Sequence, residues 1–183
     1  MRIIGGTYRG KKLLTPQDDQ IRPTTDRMRE TLFNMLEHGN GPGIRGSNIL
    51  DLFAGTGALG IEALSRGADH VTFVDNDARS MKLVKENTAL IKSPENVRYI
   101  IADAIRIKYP GKAFDIIFID PPYRKDLITP ALTNLHEQGL VNQNSLVVVE
   151  YGSDEHIDFT PHFGEIKNRK MGDATFSLLD YLA

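Results

Sequence analysis

A chain of 183 residues with 40% hydrophobic content is long enough for one domain with a real core, and no run of about 18 apolar residues offers a membrane span. The absence of cysteine excludes disulfides, thiolate metal sites and thiol nucleophiles, and His38, His70, His136, His156 and His162 show no close metal-ligand spacing, so no metal is expected. The net charge of -2 excludes a uniformly basic nucleic-acid binder, yet residues 1–30 hold seven basic and four acidic side chains against a net -5 for the remainder. A polyanion would therefore be met at the N-terminal end, unless those charges are only a solvated terminus. Met1-Arg2-Ile3-Ile4-Gly5-Gly6 lacks the apolar core of a signal peptide, which suits a cytosolic protein.

Residues 2–14 place two short apolar runs around a glycine-rich centre, a pattern that predicts a small hairpin carrying basic residues. With the polar loop behind it this forms an extension over residues 1–20, ahead of a single domain at 21–183. Thr24 or Thr25 can cap a helix whose Met28, Leu32, Met35 and Leu36 share one face, ending before Gly39. Gly39 to Ser47 then reads as a glycine-rich linker.

From Asn48 onward apolar strands alternate with helical stretches. Strands are predicted at Ile49–Phe53, Val71–Asp75, Val97–Ala102, Phe114–Ile119 and Leu146–Glu150, and helices at Ala58–Arg66, Ala78–Ile91 and Leu127–Gln138. Such alternation predicts a doubly wound, mainly parallel sheet of the α/β class. The tail differs: Glu165–Met171 and Thr175–Leu182 around Gly172-Asp173 read as an antiparallel hairpin that brings the sheet to seven strands.

Ligands of such sheets bind beyond the carboxyl ends of the strands. The first strand-to-helix turn is Asp51-Leu52-Phe53-Ala54-Gly55-Thr56-Gly57-Ala58-Leu59-Gly60, whose glycines permit a tight turn and close approach to a ligand. The glycine pattern alone equally suits a dinucleotide. Asp51 beside the loop would repel a pyrophosphate and favour a cationic cofactor, ammonium or sulfonium in kind. Asp75, followed by Asn76, can accept both hydroxyls of a ribose, while Asp77 is the better helix cap. At the third strand end Asp103 could accept from an adenine amine with the Ala104 backbone at the ring, or could cap a short helix.

Asp120-Pro121-Pro122-Tyr123 follows the fourth strand. A carboxylate, a carbonyl held rigid by two prolines and an aromatic face suit a planar ring bearing an exocyclic amine. The plainer reading is a strand stopped by prolines with a locally packed tyrosine. Glu150 ends the next strand at the same cleft edge and reads as structural.

These residues resemble the class I S-adenosylmethionine-dependent methyltransferases, and specifically the bacterial RsmD-type enzymes. The resemblance rests on Arg2-Ile-Ile-Gly-Gly6 with Arg9-Gly10, on the stretch from Arg22 to Asn34, on the stretch from Asp51 to Arg66, and on Asp120 to Tyr123. It implies a Rossmann-like fold, S-adenosyl-L-methionine as cofactor, and N2 methylation of a guanine of the guanine 966 type in 16S ribosomal RNA of small-subunit particles. Asp120, Pro121 and Tyr123 then become the catalytic set. Asp51, Phe53, Ala54, Gly55, Gly57, Gly60, Asp75, Asn76, Asp103, Ala104 and Asp120 become the cofactor set, and Arg2, Arg9, Lys11, Lys12, Arg22 and Arg27 the RNA contacts. Arg22, Thr24, Thr25 and Arg27 could equally touch the cofactor's carboxylate. The chain departs from some relatives in having Asp75 for Glu and Tyr123 for Phe. Three other activities fit parts of the pattern: amino methylation of another RNA or DNA base, nicotinamide-dependent oxidation, and RNA binding without catalysis.

Overall fold

The structure, a computed structural model, describes residues 1–16, 25–39, 41–92, 94–159 and 161–183. Arg22 and Thr24 lie outside the described residues. The elements in chain order are α1 (Asp26–Glu37), β1 (Asn48–Leu52), α2 (Ala58–Ser65), β2 (His70–Asp75), α3 (Ala78–Leu90), β3 (Val97–Ile101), β4 (Ile116–Ile119), α4 (Ile128–Glu137), β5 (Leu146–Gly152), β6 (Phe163–Met171) and β7 (Ala174–Tyr181), with single 3-10 turns at Pro94–Asn96 and Ala104–Arg106. They build one seven-stranded sheet in the order β3-β2-β1-β4-β5-β7-β6. The first five strands run parallel, and β7 and β6 are antiparallel.

The expected α/β architecture follows from strands that bury both faces. β4 reads Ile-Ile-Phe-Ile and every one of its side chains is buried, which is what a parallel sheet with helices on both sides demands. Phe118 and Val148 belong to the core on the face covered by α1, α2 and α3. Ile117, Ile119 and Val149 belong to the opposite core with α4. Strand boundaries differ from the sequence reading by one residue in β1, β2, β3 and β7 and by two in β4, β5 and β6. Phe114 is buried ahead of β4 rather than within it, and β5 runs two residues further, to Gly152, because β7 pairs with it to that point.

All eight residues of α2 are buried, so this helix needs a cover on its outer side as well as the sheet beneath. Residues 1–14 supply it. Glu62, fully buried, accepts the backbone N–H groups of Ile4 (2.7 Å) and Gly5 (2.8 Å) and the Nε–H of Arg66 (2.8 Å). Ser65 adds three bonds, accepting from Tyr8 N at its hydroxyl and Thr7 N at its carbonyl and donating to Gly5 O. A Cβ on Gly6 would lie 1.9 Å from Ser65 O, so only glycine permits this approach. The expected hairpin accordingly contracts to one bridge pair, Arg2 with Lys12, because the backbone between is engaged by α2.

The buried stripe of α1 is also rotated from its expected position. Arg29, Leu32, Phe33 and Leu36 are buried, while Met28 and Met35 are only partly covered. Thr25 caps the helix by accepting from Met28 N. Phe33 meets Phe118 of β4 at 5.9 Å between ring centroids, and the Arg66 guanidinium lies 5.0 Å from the Phe33 centroid. Arg29 is fully buried and its Nη2 donates to Arg2 O and to Asp26 Oδ1. The expected linker is packed too, with Ile44 buried and Gly46 N donating to Gly67 O.

Replacing Glu62 by alanine removes the acceptor of two buried N–H groups and one partner of Arg66, which keeps Glu37 at 2.9 Å. The expected loss is about 3 kcal/mol, read as a lower urea midpoint at unchanged slope; a midpoint equal to the unaltered chain would refute this anchor.

Candidate functional site

Register places the chemistry. Leu52 pairs with Val74 and with Ile119, and Ile119 pairs with Val149. One step further along, Phe53, Asp75, Asp120 and Glu150 therefore form a row at the carboxyl edge, over a cavity of about 410 Å³ that all four line.

On the β1–β2 side the walls are Asp51, the loop from Phe53 to Thr56, Asp75, Asn76 and Ser80. Asp75 is fixed by two backbone donors, Gly55 N to Oδ2 (2.9 Å) and Asp77 N to Oδ1 (2.8 Å). Each oxygen keeps a lone pair for a further donor. Asp51 is buried and accepts from Gly60 N at 3.0 Å. Burial pushes its carboxyl up to about 8, the charge of Asp75 pushes the same way, and the Gly60 N–H opposes them. Phe53 adopts a left-handed φ of 61°, a strained state for an aromatic residue that the glycine loop maintains. A Cβ on Gly60 would lie 2.4 Å from the Phe73 ring, so this glycine sets the close packing of α2 on β2.

On the β4–β5 side the walls are Asp120, Pro121, Pro122, Tyr123 and Glu150. The Tyr123 hydroxyl donates to Glu150 Oε1 at 2.7 Å, which fixes one end of the ring at the cavity. Met1 lines the cavity from the N-terminal segment, its Sδ 3.7 Å from Thr56 Oγ1. The Asp75 carboxylate and the buried Asp51 carboxyl, whose proton a cation would draw away, suit a cationic ligand on one side, and the acceptors and ring on the other suit a flat amine.

The family model for Conserved hypothetical protein 95 matches residues 1–180. The chain belongs to that family, the RsmD-type methyltransferases. Ribosomal RNA small subunit methyltransferase D of Escherichia coli K12 is 43% identical over 173 residues, covering 93% of this chain and 84% of the relative. The Haemophilus influenzae protein of the same name is 36% identical, covering 97% and 92%. Among solved structures, YhhF of Escherichia coli superposes with a TM-score of 0.85 at 35% identity, covering 100% of this chain and 98% of that one.

Within this RsmD-type methyltransferase most of the sequence-derived cofactor set meets at one place: Asp51, Phe53, Ala54, Gly55, Asp75, Asn76 and Asp120 all line the cavity. Gly57 and Gly60 shape the loop from behind, and Asp103 and Ala104 stand off the cavity wall, where Asp103 accepts from Ile105 N as the cap of the turn Ala104–Arg106. The basic residues divide. Arg2 pairs with Asp26 at 2.9 Å, and Lys11 Nζ donates to the carbonyl of Leu90. Arg9, Lys12 and Arg27 are exposed. Sequence reasoning passed over Met1 and Ser80 but placed Glu150 at the cleft edge in a structural role, and the structure sets it on the cavity wall as acceptor of the Tyr123 hydroxyl. Glu150 alone left a signal, as a charged residue closing a fully apolar strand.

Asp51 gives a pH signature. Between about pH 4 and about pH 8 the folded chain holds a proton on Asp51 that the unfolded chain has released, so this group lowers stability as pH rises through that window. Asp51→Asn, neutral throughout, should gain stability relative to the unaltered chain from pH 5 to 7 to 9 in urea titrations. An equal difference at all three pH values would contradict the protonated carboxyl.

Proposed function

We propose that this methyltransferase uses S-adenosyl-L-methionine to methylate the exocyclic N2 amine of a guanine in 16S ribosomal RNA, a guanine 966 type position, on small-subunit particles in the cytoplasm. The observation that carries the reading is the meeting of Asp120, Pro121 and Tyr123 with Asp51 and Asp75 on one cavity. The names of the Escherichia coli and Haemophilus influenzae relatives support ribosomal RNA as the substrate class.

The residues present fit the cofactor. Asp75, held by two backbone donors, presents its remaining lone pairs to a ribose diol. Asp51 and Asp75 favour a positively charged ligand, and binding one draws the Asp51 proton away. The Phe53 to Thr56 loop forms the adjoining wall. S-adenosylmethionine supplies a methyl group activated by its sulfonium.

Asp120 and the Pro121 carbonyl accept the N–H groups of the incoming amine, and Tyr123 offers its ring to the base. A guanine amine shares its lone pair with the ring and is a weak nucleophile. Acceptors at its hydrogens favour the more tetrahedral, positive nitrogen that forms as the new bond develops, so catalysis is mainly positioning and electrostatics. The methylated amine is acidic, and its proton leaves to Asp120 or water. Asp120 thus works without being a strong base. Presenting the base costs a few kcal/mol when it starts stacked and less from a loop.

Asp120→Ala should lower kcat by about 100-fold or more while cofactor affinity by calorimetry stays near that of the unaltered chain. Tyr123→Ala should weaken RNA use by about 1–3 kcal/mol, and Tyr123→Phe should retain most activity. The assay is transfer of a labelled methyl group to small-subunit particles, naked 16S RNA or DNA, followed by mapping of the labelled base. Full activity of Asp120→Ala, or label confined to DNA or to another base, would overturn the reading.

A further inference from the structure

The edge row that holds Asp120 does not stop at the cavity. Glu150 pairs with Phe176 of β7, and Phe176 pairs with Arg169 of β6. Asp120, Glu150, Phe176 and Arg169 therefore succeed one another across four neighbouring strands, about 14 Å from first to last at the usual strand spacing. Lys167 follows two residues before Arg169 and pairs with Leu178. Phe176 and Leu178 belong to the core under α1, α2 and α3, so Lys167 and Arg169 share that face.

A bulge produces this placement. The register shifts between Glu165 and Lys167, with Ile166 as the extra residue. Uninterrupted pairing from Glu165 would have set Lys167 and Arg169 on the α4 face, since successive strand residues alternate. The strand's one acid is held on that opposite face, where Glu165 Oε1 accepts from Ser177 Oγ and Oε2 from Asn168 Nδ2. Lys167 and Arg169 are exposed, and neither has an ion pair with a described residue. Lysines on an outer strand commonly guard a free edge, but that task needs no particular face.

We propose that Lys167 and Arg169 form a phosphate-binding patch for the RNA strand flanking the target nucleotide, on the β4–β5 side of the cleft. Among the N-terminal basic residues, Lys11 lies elsewhere, bound to α3, which packs on β2 and β3, and Arg2 is paired with Asp26 at the start of α1. The patch is thus a second contact, on the side where Asp120 stands, and its occupant is the sugar-phosphate backbone. This assignment rests on the RNA methylation proposed above.

The test uses unmethylated 16S RNA transcribed in vitro, with affinity measured against salt concentration and methylation measured alongside. For the pair Lys167→Ala with Arg169→Ala, the slope of log affinity against log salt should fall in magnitude by about 1.4, two single-strand phosphate contacts. KM for the transcript should rise about tenfold or more, with kcat and cofactor affinity unchanged. Lys170→Ala, on the opposite face, should leave the slope near that of the unaltered chain. An unchanged slope and KM in the double variant, or an equal loss in Lys170→Ala, would overturn the patch. So would a defect seen only with protein-bearing particles, which would make the partner a protein. Failure of the unaltered chain to methylate both the transcript and small-subunit particles would instead overturn the functional reading, leaving the salt slopes to judge the patch alone.

Discussion

Parallel strand register is the constraint on which the cleft depends. The rows Leu52 with Val74, Leu52 with Ile119, and Ile119 with Val149 are all apolar and buried. A slip of one residue in any of these strands would turn its core set toward the wrong layer, at a cost of several buried side chains. The polar residues one step beyond are thereby fixed in height and strand direction, and bonds such as those of Asp75 to Gly55 N and Asp77 N then orient their side chains. Asp75 and Asp120 end up facing one cavity from β2 and β4 because the hydrophobic rows below them admit no other alignment.

Above that frame a second layer of polar anchors decides how the cleft is roofed. Glu62, Ser65 and Asn87 each take hold of backbone in residues 4–14. Asn87 does so twice over, accepting from Leu14 N and donating to both Leu14 O and Thr56 O. A buried carboxylate or amide serving backbone groups is costly if any partner is lost and rigid when all are present. The N-terminal segment is therefore continuous with the fold, and Met1 reaches the cavity wall through it. Arg29 extends the same logic with less completeness. It supports Arg2 O, yet its Nε and Nη1 have no hydrogen-bond partner among the described residues.

The sheet and its helices were legible because β2, β4 and β5 are short runs rich in β-branched or aromatic residues and α1, α2 and α3 begin just after Thr25, Gly57 and Asp77. The glycine loop, Asp75 and the Asp120 to Tyr123 motif were legible because strand ends in such folds converge, so residues scattered over 73 positions of sequence from Asp51 to Tyr123 could be assigned to one place. The rest depended on contacts that no local pattern encodes. The burial of Arg29 turns on a helix rotation of roughly one residue, the left-handed Phe53 on the loop around it, and the docking of residues 4–8 on a glutamate 58 positions away from Ile4. Net charge at the N-terminus was visible, but its distribution was not, since Arg2 and Lys11 are engaged by partners distant in sequence.

The bulge at Ile166 carries a lesson for comparing relatives. Which face of β6 is cationic is set by the number of residues between Phe163 and Lys167, and not by how many lysines and arginines the strand contains. Two homologues with the same charges but a one-residue difference in length there would present them to opposite sides of the molecule. An ungapped alignment would score them as equivalent. Along this strand, counting residues is as informative about recognition as reading them.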